Sequence, residues 1–202
     1  AMLVAKEGHT LIAADFSAIE CRVLNWLAGQ QDVVENFRAY DAGDKEKDPY
    51  KVMAAKMFNV KGADVTKQQR QAGKAAELGA GYQMGHTKFK DAAWDVYQVR
   101  VDAEQAKSAI SIYRATHAEV KQLWDDANAA AIRAVLEPGS VCTFGALGNL
   151  KFTKRGEYLY LVLPSKRPLV YPAPRVVDAL TPWGEMRPGV EFSGVDGYTR
   201  QW

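Results

Sequence analysis

The spacing of apolar residues changes character along the chain, and each change marks a different kind of element. Leu11-Ile-Ala-Ala14 is a short continuous apolar run, the pattern of a buried strand. Ser17-x-x-Glu20 follows with the spacing of a capping box, and Ile19, Val23, Trp26 and Leu27 fall on one face of the helix it opens, which Gly29 ends. Residues 32–47 are polar and read as a helix remnant and then a loop. Asp48-Pro49 starts a further helix, with Tyr50, Met53, Met57 and Phe58 as its apolar side and Asn59 as its stop. Thr66-x-x-Gln69 opens the next. Beyond Gly85, Phe89, Trp94 and Tyr97 predict a short helix, and Asp102-x-x-Gln105 starts another that turns Ala106, Ile110 and Tyr113 inward. After a break at Thr116-His117, a long helix carries Val120, Leu123, Trp124, Ala127 and Ala131 up to Pro138-Gly139. From Ser140 the period becomes two. Val141–Phe144, Leu150–Thr153, Tyr158–Leu163 and Leu169–Tyr171 read as strands separated by Gly- and Pro-rich turns. The last thirty residues are Gly- and Pro-punctuated, with Trp183, Phe192, Tyr198 and Trp202, and carry no assignable chemistry. The order predicts an α+β fold, mainly helical and then a small antiparallel β region.

Composition adds little until charge is divided along the chain. The net charge is +2. Residues 1–50 carry 5 basic and 9 acidic side chains, whereas residues 51–100 carry 9 and 4. An acidic front and a basic second block suit a cation site facing a phosphate site. Two cysteines, Cys21 and Cys142, make neither a disulfide framework nor a metal cluster, and His9, His86 and His117 are too scattered to read as ligands. No apolar run reaches the roughly 18 residues of a membrane span, so the expected location is cytoplasmic, with no membrane partner. Ala1 before Met2 reads as the remnant of a cleaved tag, and the chain is expected to be excised from something longer.

The stretch Thr66 to Gly85, TKQQRQAGKAAELGAGYQMG, carries the most chemistry. Arg70, Lys74, Leu78 and Tyr82 recur every fourth residue and form one row about 18 Å long at roughly 1.5 Å per residue. Two cations near a helix N-terminus suit a polyphosphate, and an aromatic at the far end suits a nucleobase. The same row would serve as the solvated side of an ordinary amphipathic helix. Glycines at 73, 79, 81 and 85 each cost about 1 kcal/mol against Ala inside a helix, so a close-lying flat ligand or a moving helix end is expected. Gly79-x-Gly81-x-x-x-Gly85 is not a dinucleotide-binding turn, because helix-forming Lys74-Ala-Ala-Glu-Leu78 stands where that motif needs a strand. Upstream, Asp15 lies at the end of the predicted strand, where a carboxylate can hold a hard cation or simply make a turn.

Arg70-x-x-x-Lys74-x-x-x-Leu78-Gly79-x-x-Tyr82 resembles motif B, the fingers helix of family A DNA polymerases. Asp15-Phe-Ser-Ala-Ile-Glu20-Cys-Arg22 resembles their motif A. DPYKVMAAKMFNV resembles the helix between the two motifs, and LPSKRPLVYP the strand pair that returns toward the palm. The resemblance implies a palm-edge strand and helix over 1–30, helical fingers over 31–139, and antiparallel strands with a Gly/Pro-rich tail over 140–202. It implies template-directed addition of dNTPs to a primer 3′-hydroxyl with two Mg²⁺ ions. Asp15 and the Phe16 carbonyl would bind metal. Arg70 and Lys74 would bind the triphosphate, with Lys74 also protonating the leaving pyrophosphate. Glu20 would exclude a ribose 2′-hydroxyl, Leu78 would lie near the sugar, and Tyr82 would sit at the templating base pair. Tyr50 would reach the phosphate or sugar, or else pack in the core. Lys166 and Arg167 would meet the primer–template backbone, or else form a solvated hairpin tip.

The chain departs from the family pattern where Leu78 replaces an aromatic residue and Gln83 a Gly. Motif C, the His-Asp-Glu turn with the second metal carboxylate, is absent after residue 85. This implies a fragment that is inactive without its thumb and motif C palm, and the alternative is a non-catalytic nucleic-acid-binding module. An unpaired strand at Leu11–Asp15 would also favour self-association.

Overall fold

A computed structural model of the chain describes residues 4–181 and 185–194. Its helices are α1 (Ile19–Ala28), α2 (Gln31–Asp41), α3 (Pro49–Phe58), α4 (Lys67–Ala80), α5 (His86–Asp95), α6 (Ala103–Thr116) and α7 (Ala118–Leu136). The strands are β1 (Cys142–Phe144), β2 (Leu150–Arg155), β3 (Tyr158–Val162), β4 (Pro168–Pro172), β5 (Arg175–Leu180) and β6 (Met186–Glu191). The fold is α+β, as the apolar periods predict. β1 to β4 form an antiparallel meander in sequence order, and β5 and β6 make a separate hairpin. No helix among the described residues is long and apolar enough to cross a membrane.

The predicted caps at Asp48, Thr66 and Asp102 form. Asp48 accepts from the Tyr50 and Lys51 amides, and Thr66–Gln69 and Asp102–Gln105 are both complete capping boxes. Asn59 stops α3 in the left-handed region at φ 50°, and Gly29 stops α1 at φ 77°. Between α6 and α7 the chain breaks at His117, as expected. One capping contact is invisible locally: the Gln30 side chain accepts from the Glu119 amide at the start of α7.

Two cores result. Met53, Ala75, Ala76, Phe89, Ile110 and Tyr113 fill the space among α3, α4, α5 and α6. The second core lies between α7 and the meander, where Phe144 and Phe152 stack with centroids 5.3 Å apart. Leu159 faces this core and is 2% exposed, while its neighbour Tyr158 is 45% exposed, which is the two-faced alternation of a half-covered sheet.

Four expectations fail. Leu11–Ala14 is not a strand: residues 9–16 have no regular structure, and Ile12 is 90% exposed. An apolar run supplies side chains for a strand but not hydrogen-bond partners, and no described strand pairs with it. Without a strand there is no strand edge at Leu11–Asp15, and that argument for self-association loses its basis. Ser17 and Glu20 do not cap α1; its N-cap is Ala18, left-handed at φ 51° with no side-chain cap. Of the predicted face of α1, Leu27 packs against a core but the other three do not turn inward. Cys21, Asn25 and Ala28 are buried, while Ile19, Val23 and Trp26 are more than 40% exposed. Finally, the stretch read as a helix remnant belongs to a full eleven-residue helix, Gln31–Asp41, because Val33 and Phe37 are buried beside Cys21.

In the tail, the β5–β6 hairpin was not foreseen. Its partner residues Val176 and Val190 pack against the α7–sheet core. Of the four tail aromatics, Phe192 meets Tyr171 edge-on at 4.8 Å, and Trp183, Tyr198 and Trp202 lie outside the described residues.

Candidate functional site

Helix α4 supplies the row Arg70, Lys74 and Leu78, and its partners divide that row in two. At the N-terminal end α3 lies unusually close. A methyl group on Gly73 would collide with the Tyr50 carbonyl oxygen and reach 2.9 Å from the Ala54 nitrogen. The glycine is therefore explained by a neighbouring helix rather than by a flat ligand. This closeness lets Asp48, already the cap of α3, accept from Arg70 Nε at 2.8 Å through its other oxygen. The Asp48 side chain is 7% exposed and that of Arg70 35%, so the pair orients the guanidinium at the edge of solvent. Tyr50 lies beside both cations, its ring centre 5.2 Å from the Arg70 guanidinium and 5.9 Å from Lys74 Nζ. Burial, joined by the nearby Cys21 and Glu77, pushes the Tyr50 hydroxyl up to about 12, so it remains a proton donor at neutral pH.

At the other end the predicted row is cut short. α4 stops at Ala80, and Tyr82 stands in the following turn, 69% exposed. The turn still returns Tyr82 toward α1. Hydrogen bonding to the Glu20 carboxylate, with some burial, raises the Tyr82 hydroxyl above its ordinary value. Glu20, Leu78 and Tyr82 line a mostly apolar cleft of about 450 Å³ between α1 and α4, together with Ile19, Val23, Leu24 and Gly81. A methyl group on Gly81 would come 3.1 Å from Leu24, so this glycine too keeps α1 and α4 close.

Six predicted residues thus gather along α4, in two groups: Arg70, Lys74 and Tyr50, then Glu20, Leu78 and Tyr82. The others are not brought to the cleft. Asp15 and Phe16 sit exposed in the irregular segment before α1. Among the described residues no three His, Cys, Asp or Glu side chains converge as metal ligands. One exposed carboxylate with a carbonyl falls short of the six oxygens that Mg²⁺ takes, so these residues alone do not make a metal centre. Lys166 and Arg167 are exposed at the β3–β4 turn, where Lys166 adopts φ 65°.

Three supporting contacts were missed from sequence. Arg22 makes a two-pronged pair with Asp41 at 2.7 and 2.8 Å and lies over the Phe37 ring, fixing α1 to α2. Asp48 was read as a cap and not as the anchor of Arg70. Glu77 is buried with Cys21 and His117, the histidine read only as scattered. A signal for Glu77 was present: it stands four residues after Gly73, amid the small residues Ala72, Ala76 and Ala80 of the packing face.

Comparison with known proteins agrees with the two motifs. Residues 1–137 match the sequence model of DNA polymerase family A. A DNA polymerase of Bacillus phage SP02 is 32% identical over 197 residues, which is 92% of this chain and 28% of that protein. DNA polymerase I of Pseudomonas aeruginosa is 32% identical over 114 residues, covering 56% of this chain and 11% of the relative. The thermostable DNA polymerase I of Thermus filiformis is 33% identical over 110 residues, 54% and 12% respectively. The chain spans less than a third of the length of each.

Proposed function

The chain belongs to DNA polymerase family A, and from that premise we propose that it forms the nucleotide-binding fingers and adjoining palm edge of a DNA-directed DNA polymerase. The observation that carries this reading is the division of α4 into a cationic end and an apolar cleft, the two surfaces a nucleoside triphosphate needs. Arg70, oriented by Asp48, and Lys74 bind the triphosphate, and Lys74 also gives a proton to the departing pyrophosphate. Tyr50 offers its hydroxyl to the phosphates or sugar. Glu20, beside Tyr82, closes the cleft against a ribose 2′-hydroxyl, Leu78 covers the sugar, and Tyr82 lies at the templating base. Lys166 and Arg167 contact the primer–template backbone.

Family membership generally implies the use of Mg²⁺, which would neutralise charge on the transferring phosphates. Asp15 and the Phe16 carbonyl would take part, with the remaining ligands supplied from beyond these residues. The 202-residue chain alone is accordingly inactive, and the longer polymerase carries the activity.

Kinetics of the full-length polymerase test the assignment. Arg70→Ala and Lys74→Ala each lower kcat/KM for dNTP by about ten- to a hundredfold, the worth of one charge-assisted contact of roughly 1.5–3 kcal/mol. Unchanged kinetics in both variants would remove the phosphate role. Primer extension by the 202-residue chain that Asp15→Ala abolishes would defeat the proposed inactivity.

A further inference from the structure

Beneath the cleft lies a buried polar cluster that the proposed chemistry does not use. Glu77 is 5% exposed, Cys21 4% and His117 1%. They come from α4, from α1 and from the junction of α6 and α7. Cys21 Sγ donates to Glu77 Oε2 at 3.3 Å. His117 Nε2 faces the same oxygen at 3.5 Å and has no hydrogen-bond partner among the described residues. Its other nitrogen, Nδ1, lies 3.2 Å from the Tyr113 carbonyl oxygen, and its ring stacks on Tyr113 at 4.2 Å.

The chemistry of these atoms decides where the protons are. A carbonyl oxygen only accepts, so Nδ1 carries a hydrogen and a neutral ring presents a lone pair at Nε2. A bare carboxylate would set a second lone pair against it. One proton on Glu77 removes that conflict, and a contraction of about half an ångström brings the contact to hydrogen-bond length. Keeping both groups neutral also avoids burying two charges.

We propose that Glu77 is a positioning residue: its protonated carboxyl bridges His117 Nε2 and Cys21 Sγ and thereby fixes α1, with Glu20 on it, against α4. The claim rests on the polymerase reading for its consequence, because what it positions is the Glu20 barrier to ribonucleotides. The surrounding charges are compatible. Burial pushes Glu77 up to about 7, opposed by Cys21 and Lys56, and holds His117 down to about 4, with Lys56 lowering it and Asp32 and Glu119 raising it. Tyr50 and Tyr113, which also face the cluster, are held protonated by burial. A cavity of about 20 Å³ beside Glu77 and His117 has room for one water.

Two measurements test the proposal. In the ¹⁵N spectrum of the 202-residue chain at pH 6, the His117 ring should be neutral and protonated at Nδ1 alone. A doubly protonated ring or a proton on Nε2 would overturn the neutral bridge. In the full-length polymerase, Glu77→Gln can donate to His117 Nε2 but cannot also accept from Cys21 at the same atom, so it should relax ribonucleotide discrimination less than Glu77→Met, which should relax it about tenfold with a smaller change in KM for dNTP. Folded Glu77→Met with wild-type discrimination would sink the positioning role. Should that variant not fold, Cys21→Ala removes only the α1 arm, and undiminished discrimination there is equally fatal. A wild type that incorporates both sugars equally would instead defeat the Glu20 reading, while the ring spectrum would still report on the bridge.

Discussion

The two sides of α4 solve different problems. Toward α3 the helices nearly touch at Gly73, and Asp48 both caps one helix and orients a cation on the other. Toward α1 there is an open apolar cleft, lined in part by the half-exposed Ile19 and Val23. Rigid backbone contact suits the phosphate role proposed for the cationic end, since such a site works by holding donors at fixed positions. On the proposed reading the cleft admits a sugar and base and so cannot be packed shut, and its geometry is set from beneath, by Glu77, Cys21 and His117.

The largest effect should come from breaking the α3 side. Gly73→Val places side-chain atoms against the Tyr50 and Ala54 backbone, which cannot rotate away. A loss of about 3 kcal/mol is expected, read by chemical denaturation as a lower midpoint with an unchanged slope. Wild-type stability would mean that the two helices do not approach as described.

Next comes Asp48→Ala, which removes the α3 cap and the partner of Arg70 together. A loss of about 2 kcal/mol is expected, with about half of it retained as stability in Asp48→Asn, which still caps. Equal losses in the two variants would show that the cap carries nothing by itself.

The α1 side should respond to pH more than to volume. The raised Glu77 group contributes stability that is present below its unfolded value of 4.5 and lost as pH rises through about 7. The lowered His117 contributes stability that is present above its unfolded value of 6.5 and lost as pH falls through about 4. The two slopes oppose each other between pH 4.5 and 6.5, so this pair leaves wild-type stability nearly flat there. His117→Gln removes one slope and should make stability fall with rising pH across that window, by on the order of 2 kcal/mol. Parallel pH profiles for wild type and variant would contradict the pairing.

The smallest effect sharpens the contrast. Gly85→Ala meets no atom within 4 Å, and it should change stability by less than about 0.5 kcal/mol in the same denaturation experiment. A loss matching that of Gly73→Val would mean that contact with a neighbouring helix does not distinguish the two glycines.

Elements with a local cause were legible in the chain. Thr66–Gln69, Asp102–Gln105, Asp48-Pro49 and Asn59 act through neighbours within four residues, so their spacing alone places four helix ends. The alternation of Tyr158 to Leu161 likewise announces a sheet covered on one face. The row Arg70, Lys74, Leu78 and the Asp15 to Arg22 pattern pointed to the family that residues 1–137 match.

What required the tertiary structure is what depends on a partner distant in sequence. α1 has apolar residues on both faces, and only the arrival of α2, α4 and α7 selects Cys21, Asn25 and Ala28 as the inner one. Leu11–Ala14 carries strand-forming residues, yet a strand exists only when another backbone takes its hydrogen bonds. Gly73 reads as a weak point in a helix until α3 is laid across it. His117 and Glu77, forty residues apart, acquire a common proton only because burial removes the water that would otherwise serve each of them separately.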